Sequence, residues 1–204
     1  MDKKRIGCFA LALGVLMWFA SISAAQTTSE AYKGNIYQTG TLKPIDSVLK
    51  VKVGDRAPDF TLPAVSGEKV SLSHYLGKKN VVLSFVPAAW TPVCSDQWPG
   101  YNIIKGIFDK HDAVLLGITV DNLPTLFAWT NQMGELWFSV LSDFWPHGGV
   151  AEKYGVLRSD GVSERALFII DKKGIIRFID VHDINQRPSL EVLVRELQGV
   201  SKGN

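Results

Sequence analysis

The sequence predicts an α/β fold, a central mixed sheet flanked by helices, and three observations predict it. Two continuous apolar, β-branched runs, "NVVLSFV" (80–86) and "AVLLGITV" (113–120), read as strands covered on both faces. Each is followed by a stretch with helical patterning, so the two strands are expected to run parallel. The runs "ALFII" (166–170) and "IIRFIDV" (175–181) flank the turn "DKKG" and read as an antiparallel hairpin. The chain then closes on "RPSLEVLVRELQGV" (187–200), an amphipathic helix with Leu190, Leu193 and Leu197 on one face.

From the start of the chain, Lys3, Lys4 and Arg5 precede the apolar "IGCFALALGVLMWFA" and then "SISAA". A basic n-region, an apolar h-region and small residues at Ser23 and Ala25 make an export signal cut after Ala25. An uncleaved anchor is the alternative, because 20 residues at 1.5 Å each just cross a bilayer. Residues 26–52 are polar and weakly patterned, a linker or N-terminal extension with a short strand expected near "SVLKVKV" (47–53). The folded domain is expected over residues 53–201.

Within it, "APDFTLPAVSGEKVSL" (57–72) gives two short strands around a Ser66-Gly67 turn. An amphipathic helical stretch runs from Cys94 to about Lys110, with Pro99-Gly100 expected to kink it or delay its start. "DNLPTLFAWTNQM" (121–133) is a helix capped by Asp121 or Asn122, with Pro124 in its first turn, and "GGVAEKYGV" (148–156) is a short helical piece. A βαβ unit, a hairpin and a final helix follow one another in the thioredoxin-like order.

Charge and cysteine content narrow the chemistry. Removing Lys3, Lys4, Arg5 and Asp2 from 22 basic and 20 acidic residues leaves 19 of each, so the exported form is neutral and nothing points to nucleic acid. His74, His111, His147 and His182 are scattered without ligand spacing, so neither a metal nor another cofactor is expected. Of the two cysteines, Cys8 belongs to the export segment, which leaves Cys94 alone. Exported proteins usually spend cysteines in disulfide pairs, so this thiol is either a buried small hydrophobe or a group kept for chemistry.

Its position by itself leaves both readings open. With Thr91 as N-cap and Pro92 at N1, Val93 is N2 and Cys94 is N3, which puts the sulfur among unpaired backbone N–H groups at the positive end of a helix. Those donors favour a thiolate over a thiol. A redox pair of the Trp-Cys-x-x-Cys type is broken here, because Thr91 stands where the first cysteine would be.

Pro87-x-x-x-Thr91-x-x-Cys94, directly after an apolar strand, resembles the active-site signature of the peroxiredoxins (AhpC/TSA-like redoxins). "APDFTLPAVSGEKVSLSHYLGKKNVVLSFVP" resembles the segment leading into that signature, while "VLSDFWPHGGVAEKYGV" and "ERALFIIDKKGIIRF" resemble the one-cysteine AhpE-type members. The resemblance spans about residues 50 to 200. It implies a thiol peroxidase in which Cys94 attacks a hydroperoxide and becomes a sulfenic acid. It further implies that Thr91 hydrogen-bonds peroxide and sulfur, that the Val93 and Cys94 amides hold the peroxide oxygens, that Arg165 supplies a cation and that Pro87 shields the thiolate.

One position departs from the family: a Glu that helps orient the arginine is usual three residues after the cysteine, and here Gln97 stands there. Trp145, Pro146 and His147 match a family loop at the site or at a subunit contact, though packing explains them equally. The resemblance implies a hydroperoxide substrate, an external thiol or thioredoxin-like reductant, a homodimer of the kind peroxiredoxins commonly form, and, with the export signal, a periplasmic or other extracytoplasmic location. Two other readings compete, a thioredoxin-like thiol-disulfide oxidoreductase that lost one cysteine and a non-enzymatic module with a sensory or inert thiol.

Overall fold

A computed structural model of the protein describes residues 34–202. The expected export segment and Cys8 lie outside the described residues. Strands β1 (Thr61–Pro63) and β2 (Lys69–Ser71) form the small antiparallel hairpin expected around Gly67, whose φ of +88° suits a residue without a Cβ.

The central sheet has five strands: β3 (Asn80–Phe85), β4 (Ala113–Thr119), β5 (Ser139–Ser142), β6 (Arg165–Ile170) and β7 (Ile176–His182). Their order is β5-β4-β3-β6-β7, with β3, β4 and β5 parallel and β6 and β7 antiparallel additions. The sheet is therefore mixed, as the sequence predicts, and β3 is its middle strand. The residue period of two divides its side chains between two cores. Val82 and Val86 join Leu167 and Ile169 on the face that holds Cys94. Val81, Leu83 and Phe85 join Phe168 and Ile170 on the other.

Helices α1 (Pro92–Gly100), α2 (Lys105–Lys110), α3 (Leu123–Met133), α4 (Gly149–Tyr154) and α5 (Leu190–Lys202) cover these faces. Asn122 caps α3 by accepting from the Thr125 amide at 3.0 Å, and Pro124 sits in the first turn where no helical N–H is needed. In α5 Leu193 and Leu197 are buried, the stripe its pattern predicts.

The interruption expected at Pro99-Gly100 is present, although the helix is not delayed: α1 starts on time, ends at Gly100, passes through a 3₁₀ turn over Tyr101–Ile104 and resumes as α2. Pro99 has no N–H to give the carbonyl a turn earlier, which is why the ladder fails there. "SVLKVKV" is not a strand. It belongs to an extended segment lying across α4, where a Cβ at Gly155 would collide with the backbone of Val48–Lys50. The described part of the expected linker is thus laid on the domain. Strand β5 has no counterpart in the sequence pattern, because four residues carry too little pattern to separate from the surrounding loop.

Candidate active site

Two strand ends build the site. Cys94 hangs from the C-terminal end of β3 through the loop Pro87–Thr91, and Arg165 opens β6, the antiparallel neighbour of β3. The pairing Phe85↔Ala166 brings these ends side by side. Arg165 shares a strand face with Leu167 and Ile169, so it points to the side of the sheet on which α1 lies.

The loop is held from three directions. Thr91 has the backbone of an N-cap (φ −106°, ψ 154°), but its hydroxyl does not cap the helix and instead donates to the Ala88 carbonyl at 2.9 Å. Asp121, at the end of β4, accepts from the Ala89 amide at 2.8 Å and from the Thr119 hydroxyl at 2.6 Å. Ser163 donates to the Val86 carbonyl at 2.8 Å. Trp90 adopts a φ of +62°, a region that bulky side chains rarely enter, and the surrounding contacts keep it there.

Cys94 is fully buried and its sulfur accepts from Arg165 Nη2 at 3.5 Å. The guanidinium is fixed by two further acceptors: the Ile184 carbonyl takes Nε at 3.2 Å and Nη2 at 3.0 Å, and Gln97 Oε1 takes Nη1 at 2.5 Å. A guanidinium carries only donors, so the oxygen of the Gln97 amide must face it. That leaves the amide nitrogen to be satisfied elsewhere, and it donates to Tyr101 Oη at 2.8 Å and Ser84 Oγ at 3.3 Å, which are 3.1 Å apart. Ser84 lies on the α1 face of β3, one step between Val82 and Val86. Burial is the main cause pushing the Tyr101 phenol above its ordinary range, and its bonds to Ser84 and Gln97 and the nearby arginine pull the other way. Tyr101 stays a neutral hydroxyl through the physiological range.

Cys94, Arg165, Pro87, Thr91 and Val93 all border one open groove of about 850 Å³. As N2 and N3 of α1, Val93 and Cys94 present N–H groups with no helical acceptor one turn earlier. Gln97 is buried behind Arg165 and does not border the groove. Trp129 Nε1 donates to Ser95 Oγ at 3.0 Å, immediately beside Cys94, and stacks 5.0 Å from Trp98. Among the described residues no group of three or more His, Cys, Asp or Glu could hold a metal ion.

Sequence reasoning brought Cys94, Thr91, Pro87, Val93, Gln97 and Arg165 forward and missed Tyr101, Ser84, Ile184 and the loop-holding role of Asp121. Tyr101 alone carried a signal, as a polar aromatic one helical turn beyond Gln97.

A buried thiol at a helix N-terminus, paired with a buried arginine and opening onto a groove at the end of a thioredoxin-like sheet, defines a thiol-dependent peroxidase. Residues 53–179 match the AhpC/TSA family, and the chain belongs to that family of peroxiredoxins. It is 40% identical over 132 residues to alkyl hydroperoxide reductase E of Mycobacterium tuberculosis, covering 64% of this chain and 86% of that protein. It is 35% identical over 161 residues to the chloroplastic 2-cysteine peroxiredoxin of Chattonella marina var. antiqua, covering 74% and 82%. The reduced 2-Cys peroxiredoxin of Plasmodium vivax superposes with a TM-score of 0.70 at 29% identity, over 74% of this chain and 83% of that one.

Proposed function

We propose that the protein is an exported one-cysteine peroxidase that reduces hydrogen peroxide or organic hydroperoxides and is recycled by an external thiol. The observation that carries the reading is Cys94 Sγ held 3.5 Å from Arg165 Nη2 at the floor of the groove, with no second cysteine among the described residues.

The Cys94 thiolate attacks the distal oxygen of the hydroperoxide. The O–O bond breaks, the S–O bond forms, and the alkoxide or hydroxide that leaves takes a proton from water to depart as alcohol or water. Charge moves from sulfur to the leaving oxygen during this step. Arg165 and the first-turn amides of α1 offer fixed donors along that path without reorganising. An external thiol condenses with the sulfenic acid, releasing water and leaving a mixed disulfide, and a second thiol frees Cys94 as the reductant's own disulfide forms. Export rests on the basic, apolar and small-residue succession of residues 1–25, and a homodimer on the habit of the family.

The test is one equivalent of peroxide added to the cleaved protein, followed by tryptophan fluorescence, a non-reducing gel and intact mass. Rapid quenching and a monomer about one oxygen atom heavier support the scheme. A stoichiometric covalent dimer would overturn the one-cysteine cycle, and a dimer confined to the uncleaved chain would make Cys8 a resolving partner.

A further inference from the structure

The groove above Cys94 has two walls of different origin. One is the loop and first turn of α1. The other is the segment Tyr37–Leu42, which precedes the residues that match the family.

This segment is docked by specific bonds. The Asn185 side chain accepts from the Leu42 amide at 2.8 Å and donates to the Leu42 carbonyl at 2.9 Å, so it reads both polar groups of one residue as a strand would. The Ile184 amide donates to the Pro44 carbonyl at 3.1 Å, and the Tyr37 amide donates to the Trp90 carbonyl at 2.8 Å. Farther along, Asp46 Oδ2 accepts from the Ser159 amide at 3.0 Å and from its hydroxyl. The buried pair Arg158–Glu164, 2.8 Å apart, reaches the same segment: Arg158 Nη2 donates to the Lys43 carbonyl at 3.2 Å and Glu164 Oε1 accepts from the Asp46 amide at 2.5 Å.

We propose that residues 37–46 form a strap that serves as the specificity wall of the peroxidase site and contacts the organic part of uncharged hydroperoxides. The inference rests on the peroxidase reading. Hydrogen peroxide fills a few tens of Å³ and reacts at the floor, so a wall of this kind is idle for it. A groove of about 850 Å³ matches the space that small organic ligands occupy. Leu42, Val93, Val162 and Ile184 give it apolar surface. The charged groups bordering it are Arg165, engaged with Cys94, and Asp160, paired with Arg158 Nε at 3.2 Å, so neither is free to hold a charged tail. Uncharged alkyl or aryl hydroperoxides fit this lining.

The experiment measures the second-order rate of Cys94 oxidation by hydrogen peroxide and by cumene hydroperoxide in the cleaved protein, in Asn185→Ala, and in Asn185→Ala/Asp46→Ala. Asp46 lies outside the groove, so the second variant loosens the strap at a remote anchor as well. Hydrogen exchange at the Tyr37 and Leu42 amides reports release. With the strap released, the cumene-to-hydrogen-peroxide rate ratio is expected to fall at least about tenfold, the size of effect carried by a few methylene contacts. An equal fall for both peroxides overturns the proposal, since the strap would then act only through the Ile184 carbonyl on Arg165. An unchanged ratio after release overturns it too, as does a strap still protected in the double variant. A starting protein that neither peroxide oxidises defeats the peroxidase reading instead.

Discussion

Replacing Tyr101 by Phe removes one oxygen and tests how this site holds its arginine. Gln97 loses its shorter acceptor at 2.8 Å and keeps Ser84 at 3.3 Å, so one buried amide N–H is left without a good partner. An unsatisfied buried donor costs about 1–3 kcal/mol, comparable to the charge-assisted bond of about 1.5–3 kcal/mol between Gln97 and Arg165. The amide still turns its oxygen to the guanidinium, which has no acceptor, but it loses the bond that braces it from behind. If about 1.4 kcal/mol of that restraint is lost in the transition state, oxidation of Cys94 slows about tenfold.

The decisive comparison repeats the substitution in a Gln97→Glu background. A carboxylate has an acceptor oxygen on both sides and needs no orienting hydroxyl, so Tyr101→Phe there is expected to cost less than about threefold, under 0.7 kcal/mol on the same scale. Stopped-flow tryptophan fluorescence with hydrogen peroxide measures all four proteins, and thermal melts separate general destabilisation from lost placement. Equal losses in the two backgrounds, or no loss with Gln97, would refute the orienting role.

Other outcomes follow from the same geometry. Cys94→Ser is expected to abolish peroxide reduction, because a hydroxyl is not an effective nucleophile at neutral pH, and a tenth of the starting rate surviving would move the chemistry elsewhere. Arg165→Ala should slow oxidation by roughly 10²-fold, the usual loss for one positioned transition-state donor, without preventing slow alkylation of the thiol. Asp121→Ala frees the Ala89 amide and should slow oxidation while Asp121→Asn, which keeps an acceptor, retains most of the rate. For pH, bonds from Lys43 and then Ser159 hold the Asp46 carboxyl well below the usual carboxylate range. A carboxyl depressed in the fold contributes stability that is present above its unfolded value of about 3.9 and lost as pH falls toward the lower folded value. Acid should therefore raise exchange at the strap in the unaltered protein more than in Asp46→Asn, and identical acid responses would remove Asp46 as an anchor.

The parts of the site legible in the sequence are those that sit on one local motif. Pro87, Thr91, Val93 and Cys94 occupy a single strand-to-helix turn, where cap and helix-start rules apply directly. Arg165 lies 71 residues from Cys94 and was reached only through family resemblance. Ser84 and Ile184 act through contacts across the sheet, 13 residues from Gln97 and 19 from Arg165, and neither residue type announces such a role. The fold was readable from β3, β4, β6 and β7 because long apolar runs carry a strong period. In the sequence the strap looks like a linker because polar, unpatterned chain gives no sign of what its backbone will bond, and here Asn185 and Arg158 decide it.

The pairing of β3 with β6 has a consequence for which insertions and deletions this chain can accept. Cys94 and Arg165 meet because two strand ends stand opposite each other in one register, and side chains alternate faces at every residue. One residue added inside β6 after Ala166 would carry the Arg165 end to the wrong face while leaving composition and hydrophobicity almost untouched. Several residues added to the Asp171–Gly174 turn, at the opposite end of the same strand, would leave the pair in place. Length variation in relatives of this protein should therefore gather at that turn and be absent from β3 and β6, and a library of random single-residue insertions should show the same division in surviving peroxidase activity.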